Sequence, residues 1–172
     1  MQNYLYFFTA TILNWQKLLK QDKYKQIICD SLSYLVKKNR VVVFGFVIMP
    51  NHIHIVWHIN EPDILETVQR DFLKYTAQQI KFDLVKNHLN VLPYFKSNAK
   101  DRNYQFWERR PYSSKLFNRE VVEEKLNYIH NNPMNKKWNL CNAPELYPFS
   151  SASFYLTNNC TFDFITDYRE CI

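Results

Sequence analysis

The stretch VVVFGFVIMPNHIHIVWHI, residues 41–59, decides the fold of this chain. Its first part, Val41–Met49, is continuously apolar, which is typical of a strand buried on both faces. Pro50 and Asn51 then predict a tight break, because proline fixes φ and asparagine tolerates turn conformations. The last part, His52–Ile59, predicts a second strand that pairs antiparallel with the first.

The second strand has two different faces, because successive side chains of a strand point to opposite sides. One face is plainly a core face and carries Ile53, Ile55, Trp57 and Ile59. The other carries His52, His54, Val56 and His58. Residues two apart on a strand lie about 6.6 Å apart, so His52 and His54 can ligate one divalent ion, whereas His58 lies ~13 Å beyond His54. Histidines that are merely solvated or hydrogen-bonded are the alternative.

Further elements follow on both sides of this hairpin. Residue patterns predict a strand at Tyr4–Leu13, helices at Gln21–Lys38 and Ile64–Val85, a loop at Asn87–Asn103, a strand within Tyr104–Leu116, a helix at Arg119–Asn131, a turn and short helix at Pro144–Leu156 and a strand at Thr161–Ile165. Pro111 limits the fourth strand or places it at a sheet edge. The order predicts an α+β fold, a ferredoxin-like antiparallel sheet with helices on one face. We expect one domain, residues 1–172, with a C-terminal extension from about residue 139.

Composition narrows the classes of function. A net charge of +6 and a pI near 9.1 favour an anionic partner, above all nucleic acid, and 17% aromatic residues offer stacking faces. The single glycine, Gly45, excludes Gly-rich phosphate-binding loops. The four cysteines lack C-x-x-C spacing, and neither a signal peptide nor a ~20-residue apolar span is visible. We therefore expect a cytoplasmic protein with reduced thiols and no membrane association.

The helix Arg119–Asn131 carries a second candidate group. Tyr128 and Asn132 are four residues apart and project from one helical face, whereas His130 points away from them. The Asn132 amide oxygen is a reasonable ligand for a hard cation, and an activated Tyr128 phenol can act as a nucleophile. A part-buried structural tyrosine is the alternative, and Tyr104 and Tyr112 are rival nucleophiles.

Four ordered segments resemble one family. The run from Val47 to Trp57, with its "MPNHIH", resembles the signature of the HUH single-strand nucleases in their single-tyrosine transposase form. Three others resemble the REP-associated tyrosine transposase branch: Asp71–Ala77, the Y-I-x-x-N-P run at Tyr128–Pro133 and the "YPWSS"-like Tyr147–Ser151. The match spans the chain to about Leu156, although Phe106–Tyr112 follows the branch's pattern only loosely.

The resemblance implies a mechanism. His52 and His54 would hold Mg²⁺ or Mn²⁺ with Asn132 as third ligand, and Tyr128 would attack the scissile phosphate, giving a 5′-phosphotyrosine link that allows rejoining. The partner would be single-stranded or hairpin DNA at repeats. The resemblance is also compatible with a homodimer that shares or exchanges the tyrosine helix.

Basic and aromatic side chains near this site are candidates for DNA contact. We expect phosphate contacts from Lys74, Arg109, Arg110, Lys136 and Lys137, and base stacking from Trp107, Tyr112 and Trp138. An ordinary solvated surface charge is the alternative for each basic residue, and core packing is the expected role of at least one of the three rings. Three other functions stay open: a domesticated binder of hairpin DNA or RNA that no longer cuts, a phosphodiesterase that uses water, and a structural metal-binding domain.

Overall fold

A computed structural model describes residues 4–159 and 161–171. Four strands form one antiparallel sheet in the order β2-β3-β1-β4: β1 Leu5–Thr11, β2 Val41–Ile48, β3 His52–Ile59 and β4 Tyr112–Leu116. Helices cross over between β1 and β2 and between β3 and β4. This is the ferredoxin-like arrangement, so the α+β prediction is confirmed.

The helices pack on both faces of this sheet: α1 Asp22–Lys37, α2 Leu65–Asn87, α3 Arg119–Asn131 and α4 Ala152–Thr157. α1 and α2 cover the face of Ile53 and Ile55, which we call the core face. α3 covers the face of His52 and His54, which we call the histidine face. The prediction of helices on one face was therefore wrong. The histidine face also has apolar side chains to bury, among them Leu5, Phe7, Phe44, Val47 and Val56.

The hairpin of β2 and β3 is the centre of the molecule. The backbone N–H of Met49 donates to the His52 carbonyl at 2.8 Å, closing the turn predicted at Pro50 and Asn51. β2 is buried on both faces as predicted, and its register shifts by one residue between Val43 and Gly45. A hairpin buried on both sides holds the histidines on a rigid support.

The segment 147–151 covers the free edge of β2. Its backbone makes an antiparallel bridge between Ser150 and Val47, and the Ile48 N–H donates to the Phe149 carbonyl at 2.9 Å. A covered edge offers no unpaired strand to other chains. The predicted strand at Thr161–Ile165 was wrong: between residues 161 and 171 only Ile165 pairs, in an isolated bridge to Val43.

The connection between α2 and β4 is more ordered than predicted. Within the predicted loop, the 3₁₀ turn Leu92–Phe95 buries Leu92 and Phe95 in the core. β4 begins immediately after Pro111 and lies at the sheet edge, as the proline indicated.

None of the helices formed by the described residues combines the length and apolar character needed to cross a bilayer. The cysteines at positions 29, 141 and 171 are unpaired, and Cys160 lies outside the described residues.

Candidate active site

The two predicted metal-ligating histidines lie side by side on the histidine face. The ring centroids of His52 and His54 are 4.8 Å apart, with planes inclined at 72°. The register of β1 places Thr11 opposite His52 and Thr9 opposite His54. His58 lies at the other end of β3, where its Nδ1 contacts a backbone carbonyl, so it belongs to different surroundings.

Asn51 fixes the orientation of the His52 ring. The Asn51 amide nitrogen donates to the Trp15 carbonyl at 3.2 Å, so its amide oxygen faces Nδ1 of His52 at 2.7 Å. An amide oxygen can only accept, and therefore Nδ1 of His52 carries the hydrogen. The lone pair of the ring is left on Nε2, the atom available to a metal ion.

His54 has a comparable support and a free nitrogen. Its Nδ1 lies 2.7 Å from the Thr9 hydroxyl, while its Nε2 is buried and has no hydrogen-bond partner among the residues that the structure describes. With the hydroxyl accepting from Nδ1–H, Nε2 carries a lone pair. Burial, aided by the positive charge of Lys137, lowers the pKa of His52 to about 4. Burial, His52 and Lys125 lower the pKa of His54 to about 3. Both rings are neutral near pH 7, the form that binds metals.

α3 carries Tyr128 onto this pair within the same chain. The helix begins as predicted, since the side chain of Asn118 accepts from the Val121 N–H at 2.9 Å. Its apolar side packs on β2 and β3 through Leu126 and Ile129. Tyr128 lies beside that contact, 52% exposed, with its ring centroid 5.4 Å from that of His54.

Gly45 allows this close approach of α3. A Cβ at this position would lie 2.3 Å from Cδ2 of Leu126 and 3.2 Å from the Ser151 hydroxyl. The one glycine of the chain therefore stands where the helix that carries Tyr128 meets the sheet.

Asn132 is buried at the end of the same helix, one turn after Tyr128. Within residues 4–159 and 161–171, no three His, Cys, Asp or Glu side chains come together as a metal site. Asn132 is of a different residue type and stays the predicted third ligand.

His130 points away from Tyr128, as predicted, and has a structural contact. Its Nε2 lies 2.8 Å from the Ser151 hydroxyl, which also accepts from the Phe46 N–H at 2.9 Å. The Tyr147 hydroxyl donates to the Ile48 carbonyl at 2.7 Å. The "YPFSS" segment therefore fastens α3 and the edge of β2 together.

Positive charge surrounds the site. Nζ of Lys125 lies 6.0 Å from the ring centroid of Tyr128, and Nζ of Lys137 lies 5.4 Å from that of Trp138, whose ring is 5.9 Å from that of His52. Lys136 is exposed on the same turn. Sequence reasoning missed Lys125, although its spacing of three residues from Tyr128 on one helix was a usable signal.

Other predicted DNA contacts lie further from the histidines. Lys74 and Arg109 line a groove of about 680 Å³ between α2 and residues 101–111, and Arg110 is exposed next to it. Tyr112 is exposed on the histidine face, with its ring 6.4 Å from that of Phe7.

The prediction that Trp107 stacks on a base was wrong. Its ring is buried in the core, and its Nε1 donates to the Thr76 hydroxyl at 3.1 Å. A buried ring offers no face on which a base could stack, so Trp107 supports the fold instead.

Two solved structures are similar to this chain. The structure of a REP-associated tyrosine transposase bound to a REP hairpin superposes with a TM-score of 0.65 at 20% identity, over 89% of this chain and 79% of that one. A structure from Deinococcus radiodurans R1 assigned as a transposase matches at a TM-score of 0.49 and 12% identity, over 76% of this chain and 92% of that one. No protein-family model and no curated protein sequence matches the chain. The first of these structures shows a shared fold.

Proposed function

We propose that this protein is a metal-dependent single-strand DNA endonuclease and transposase of the REP-associated, single-tyrosine HUH type. The observation that carries the proposal is the meeting of two elements distant in sequence. β3 presents His52 and His54 as neighbours, and α3 holds Tyr128 with its ring 5.4 Å from that of His54. An exposed phenol beside two neutral, partly unpartnered imidazoles is the arrangement that a tyrosine nuclease needs.

The donor set fits a divalent cation. Nε2 of His52 and of His54 are the ring nitrogens left for a metal once Asn51 and Thr9 have bound the other nitrogens. The amide oxygen of Asn132 would be the third ligand, and mixed nitrogen and oxygen donors suit Mn²⁺ or Mg²⁺. When bound, the ion would act as a Lewis acid on a non-bridging oxygen of the scissile phosphate.

Tyr128 supplies the nucleophile. Its hydroxyl oxygen attacks phosphorus, so the Tyr128–phosphorus bond forms as the bond from phosphorus to the 3′-oxygen breaks. The phenol proton passes to water, and the 3′-oxygen takes up a proton from water as it leaves, so a free 3′-hydroxyl results. The 5′-phosphotyrosine keeps the energy of the phosphodiester, and rejoining then needs no nucleotide cofactor. This agrees with a chain whose single glycine excludes a phosphate-binding loop.

Charged side chains around the pair would hold the substrate. Lys125 and Lys137 are close enough to the site to stabilise the phosphate being cut. The groove that Lys74 and Arg109 line, with Arg110 beside it, would contact the backbone of a hairpin stem. A hairpin substrate is suggested by the hairpin bound in the structure that shares this fold. We further propose that the chain acts in the cytoplasm as one domain, with the extension after about residue 139 closing the β2 edge.

The test is covalent trapping. Labelled single-stranded DNA containing a hairpin is incubated with the protein and Mn²⁺, then resolved on denaturing gels for cleavage and for a protein–DNA adduct. We expect Tyr128→Phe to lose both products while still binding DNA. Tyr75→Phe is the matched control, because Tyr75 is a helical tyrosine of similar exposure, 50%, on α2. It should cut and form the adduct normally.

The other outcomes identify the rival functions. An adduct that persists in Tyr128→Phe would move the nucleophile to Tyr112 or Tyr104. Cleavage without any adduct, kept in Tyr128→Phe and lost in His54→Ala, would identify a phosphodiesterase that uses water. Salt-dependent hairpin binding with no cleavage by the wild type would identify a binder.

A further inference from the structure

Two tryptophans and a lysine form a cluster next to His52. Nζ of Lys137 lies 5.8 Å from the ring centroid of Trp15 and 5.4 Å from that of Trp138. The ring of Trp138 is in turn 5.9 Å from that of His52, inclined at 48°. We call Trp15, Lys137 and Trp138 the tryptophan–lysine cluster. It joins the turn after β1 to the segment after α3, and it borders the site where a phosphate would be cut.

Trp15 is held in solvent by strained backbone. Its side chain is 61% exposed, whereas Trp57 and Trp107 are buried. Asn14 and Trp15 both lie in the left-handed region, with φ of 53° and 58°. Asparagine tolerates this conformation, but it is costly for a bulky residue such as Trp15. Such strain persists only where surrounding contacts enforce it, and it concentrates at binding and catalytic sites.

Specific hydrogen bonds enforce this conformation. The Asn14 N–H donates to the carboxylate of Glu108 at 2.8 Å, and the Trp15 N–H donates to the Ile12 carbonyl at 2.9 Å. The Trp15 carbonyl accepts from the side chain of Asn51 at 3.2 Å. The turn is therefore fixed at three points, and the exposed indole is a built feature of the surface.

Asn51 links this indole to the histidine pair. One end of its amide holds the Trp15 carbonyl, and the other end accepts from Nδ1 of His52. One side chain thus holds both the backbone that carries the Trp15 indole and the ring of His52.

The charges around the cluster select an anionic ligand. Nζ of Lys17 lies 5.8 Å from the ring of Trp138, and among the described residues no carboxylate forms an ion pair with Lys17 or Lys137. A cationic ligand would be repelled. A nucleotide offers both a flat π face for indoles and a negative phosphate for the ammonium groups.

We propose that the tryptophan–lysine cluster holds the unpaired base of a nucleotide flanking the scissile phosphate, with Trp15 and Trp138 stacking and Lys137 contacting the backbone. The inference rests on the proposed function, since it takes single-stranded DNA as the substrate. It adds a second DNA contact beside the scissile phosphate. This contact accepts any base, because every base has a π face.

The experiment separates stacking from charge. Fluorescence anisotropy compares binding of dT20 with binding of a 20-unit abasic phosphodiester chain that has the same charge and no bases, with metal chelated to prevent cleavage. We expect the wild-type protein to prefer dT20. Trp15→Ala and Trp138→Ala should each weaken dT20 binding about tenfold and leave abasic binding unchanged, in line with base–aromatic stacking. Lys137→Gln should weaken binding of both probes.

Tyr34→Ala is the matched control. Tyr34 is 58% exposed on α1, on the other side of the sheet, and Nζ of Lys38 lies 5.8 Å from its ring. This variant should bind both probes like the wild type. Wild-type dT20 binding by both Trp15→Ala and Trp138→Ala would overturn the inference while leaving the proposed function intact. A wild-type protein that does not prefer dT20 to the abasic chain would also overturn the inference, whereas the proposed function fails only if the covalent trapping experiment gives neither cleavage nor adduct. Far-ultraviolet circular dichroism confirms that each variant is folded.

Discussion

His54 and Ile55 are neighbours in β3, yet their side chains lie on opposite faces of the sheet and in different surroundings. Ile55 lies on the core face, in an apolar cluster with Phe8 and Trp57 under α1 and α2. His54 lies on the histidine face and is also buried. One of its ring nitrogens lies on the Thr9 hydroxyl, and the other has no hydrogen-bond partner within residues 4–159 and 161–171. The core face buries mainly apolar side chains, whereas the histidine face keeps a buried ring nitrogen without a hydrogen bond next to the exposed Tyr128. Such a nitrogen costs folding free energy.

The core face has an unpartnered polar atom too, and it differs in kind. In the described part of the chain, Nε1 of Trp57 is buried without a hydrogen-bond partner, on a ring whose centroid is 5.1 Å from that of Phe8. An indole N–H can only donate, so it cannot bind a cation. Nε2 of His54 belongs to a ring that can. A buried polar atom without a hydrogen bond therefore points to a binding site only when it can itself bind a ligand and when other such groups lie beside it.

The largest expected effect comes from truncating these two neighbours separately. His54→Ala should lower Mn²⁺-dependent cleavage by more than about a hundredfold, because loss of a direct ligand costs more than loss of an outer contact. Ile55→Ala should instead lower the free energy of unfolding by about 2–5 kcal/mol, as a cavity opens in the core. Urea denaturation and single-turnover cleavage measure the two quantities.

The two variants should thus have opposite phenotypes, with cleavage lost in His54→Ala and stability lost in Ile55→Ala. Ile55→Ala, corrected for its folded fraction, is expected to cut at the wild-type rate. If it loses cleavage as severely as His54→Ala does, the two faces of the sheet are not functionally separate.

Much of this contrast was predictable from residues 41–59. Strand alternation separates histidines from isoleucines without any knowledge of the fold, and the structure has that separation. The spacing of Tyr128 and Asn132 likewise placed both on one helix and its end. These predictions succeeded because they depend on local periodicity.

The features that the sequence did not predict depend on tertiary packing. Nothing local to Trp107 distinguishes an exposed stacking ring from a buried one, since its burial comes from α2 and the Thr76 hydroxyl. Trp15 gave no local signal either, because its exposure is enforced by Asn51 and Glu108, which are distant in sequence. Helices on both faces escaped prediction because α3 docks where Gly45 leaves room.

Acid should destabilise the two faces in different pH ranges. On and beside the histidine face, burial lowers the pKa of His52, His54 and His130 to about 4, 3 and 4. In the unfolded chain these histidines bind protons near pH 6.5. The contribution of the neutral, buried rings to folding stability is therefore complete above that pH and is lost as pH falls towards 4. Under the core face, Asp83 has a pKa lowered to about 2, first by Lys23, and its contribution is lost only below about pH 4.

Urea denaturation of the metal-free protein at intervals from pH 7 to 4 tests this. Each buried histidine should contribute up to about 3 kcal/mol across the window, at 1.36 kcal/mol per pKa unit. His130→Gln removes one of the three and should flatten the slope of stability against pH. Asp83→Asn should keep the wild-type slope in this range, although it lowers stability throughout. An unchanged slope in His130→Gln would contradict the assignment.

The smallest expected effect on stability comes from Gly45, where the histidine face meets α3. In Gly45→Ala the new methyl would lie 2.3 Å from Cδ2 of Leu126, so that buried side chain must change rotamer or the helix must move. Overpacking of this kind costs about 1–3 kcal/mol. The loss of flexibility in the unfolded chain returns about 0.4–1 kcal/mol, since the backbone of Gly45 is not left-handed. The net loss should be about 1 kcal/mol.

The effect of Gly45→Ala on cleavage should exceed this small loss of stability. Tyr128 lies two residues after Leu126 on α3, so a helix that shifts away from the sheet carries the phenol away from His54. Displacement of a reacting group by about 1 Å can cost a hundredfold in rate. Urea denaturation and single-turnover cleavage of Gly45→Ala measure the two effects. Mn²⁺ binding should weaken less than cleavage, because His52 and His54 stay in place and only Asn132 moves with the helix. Wild-type cleavage at reduced stability would mean that Leu126 alone absorbs the methyl, and that the position of Tyr128 does not depend on this contact.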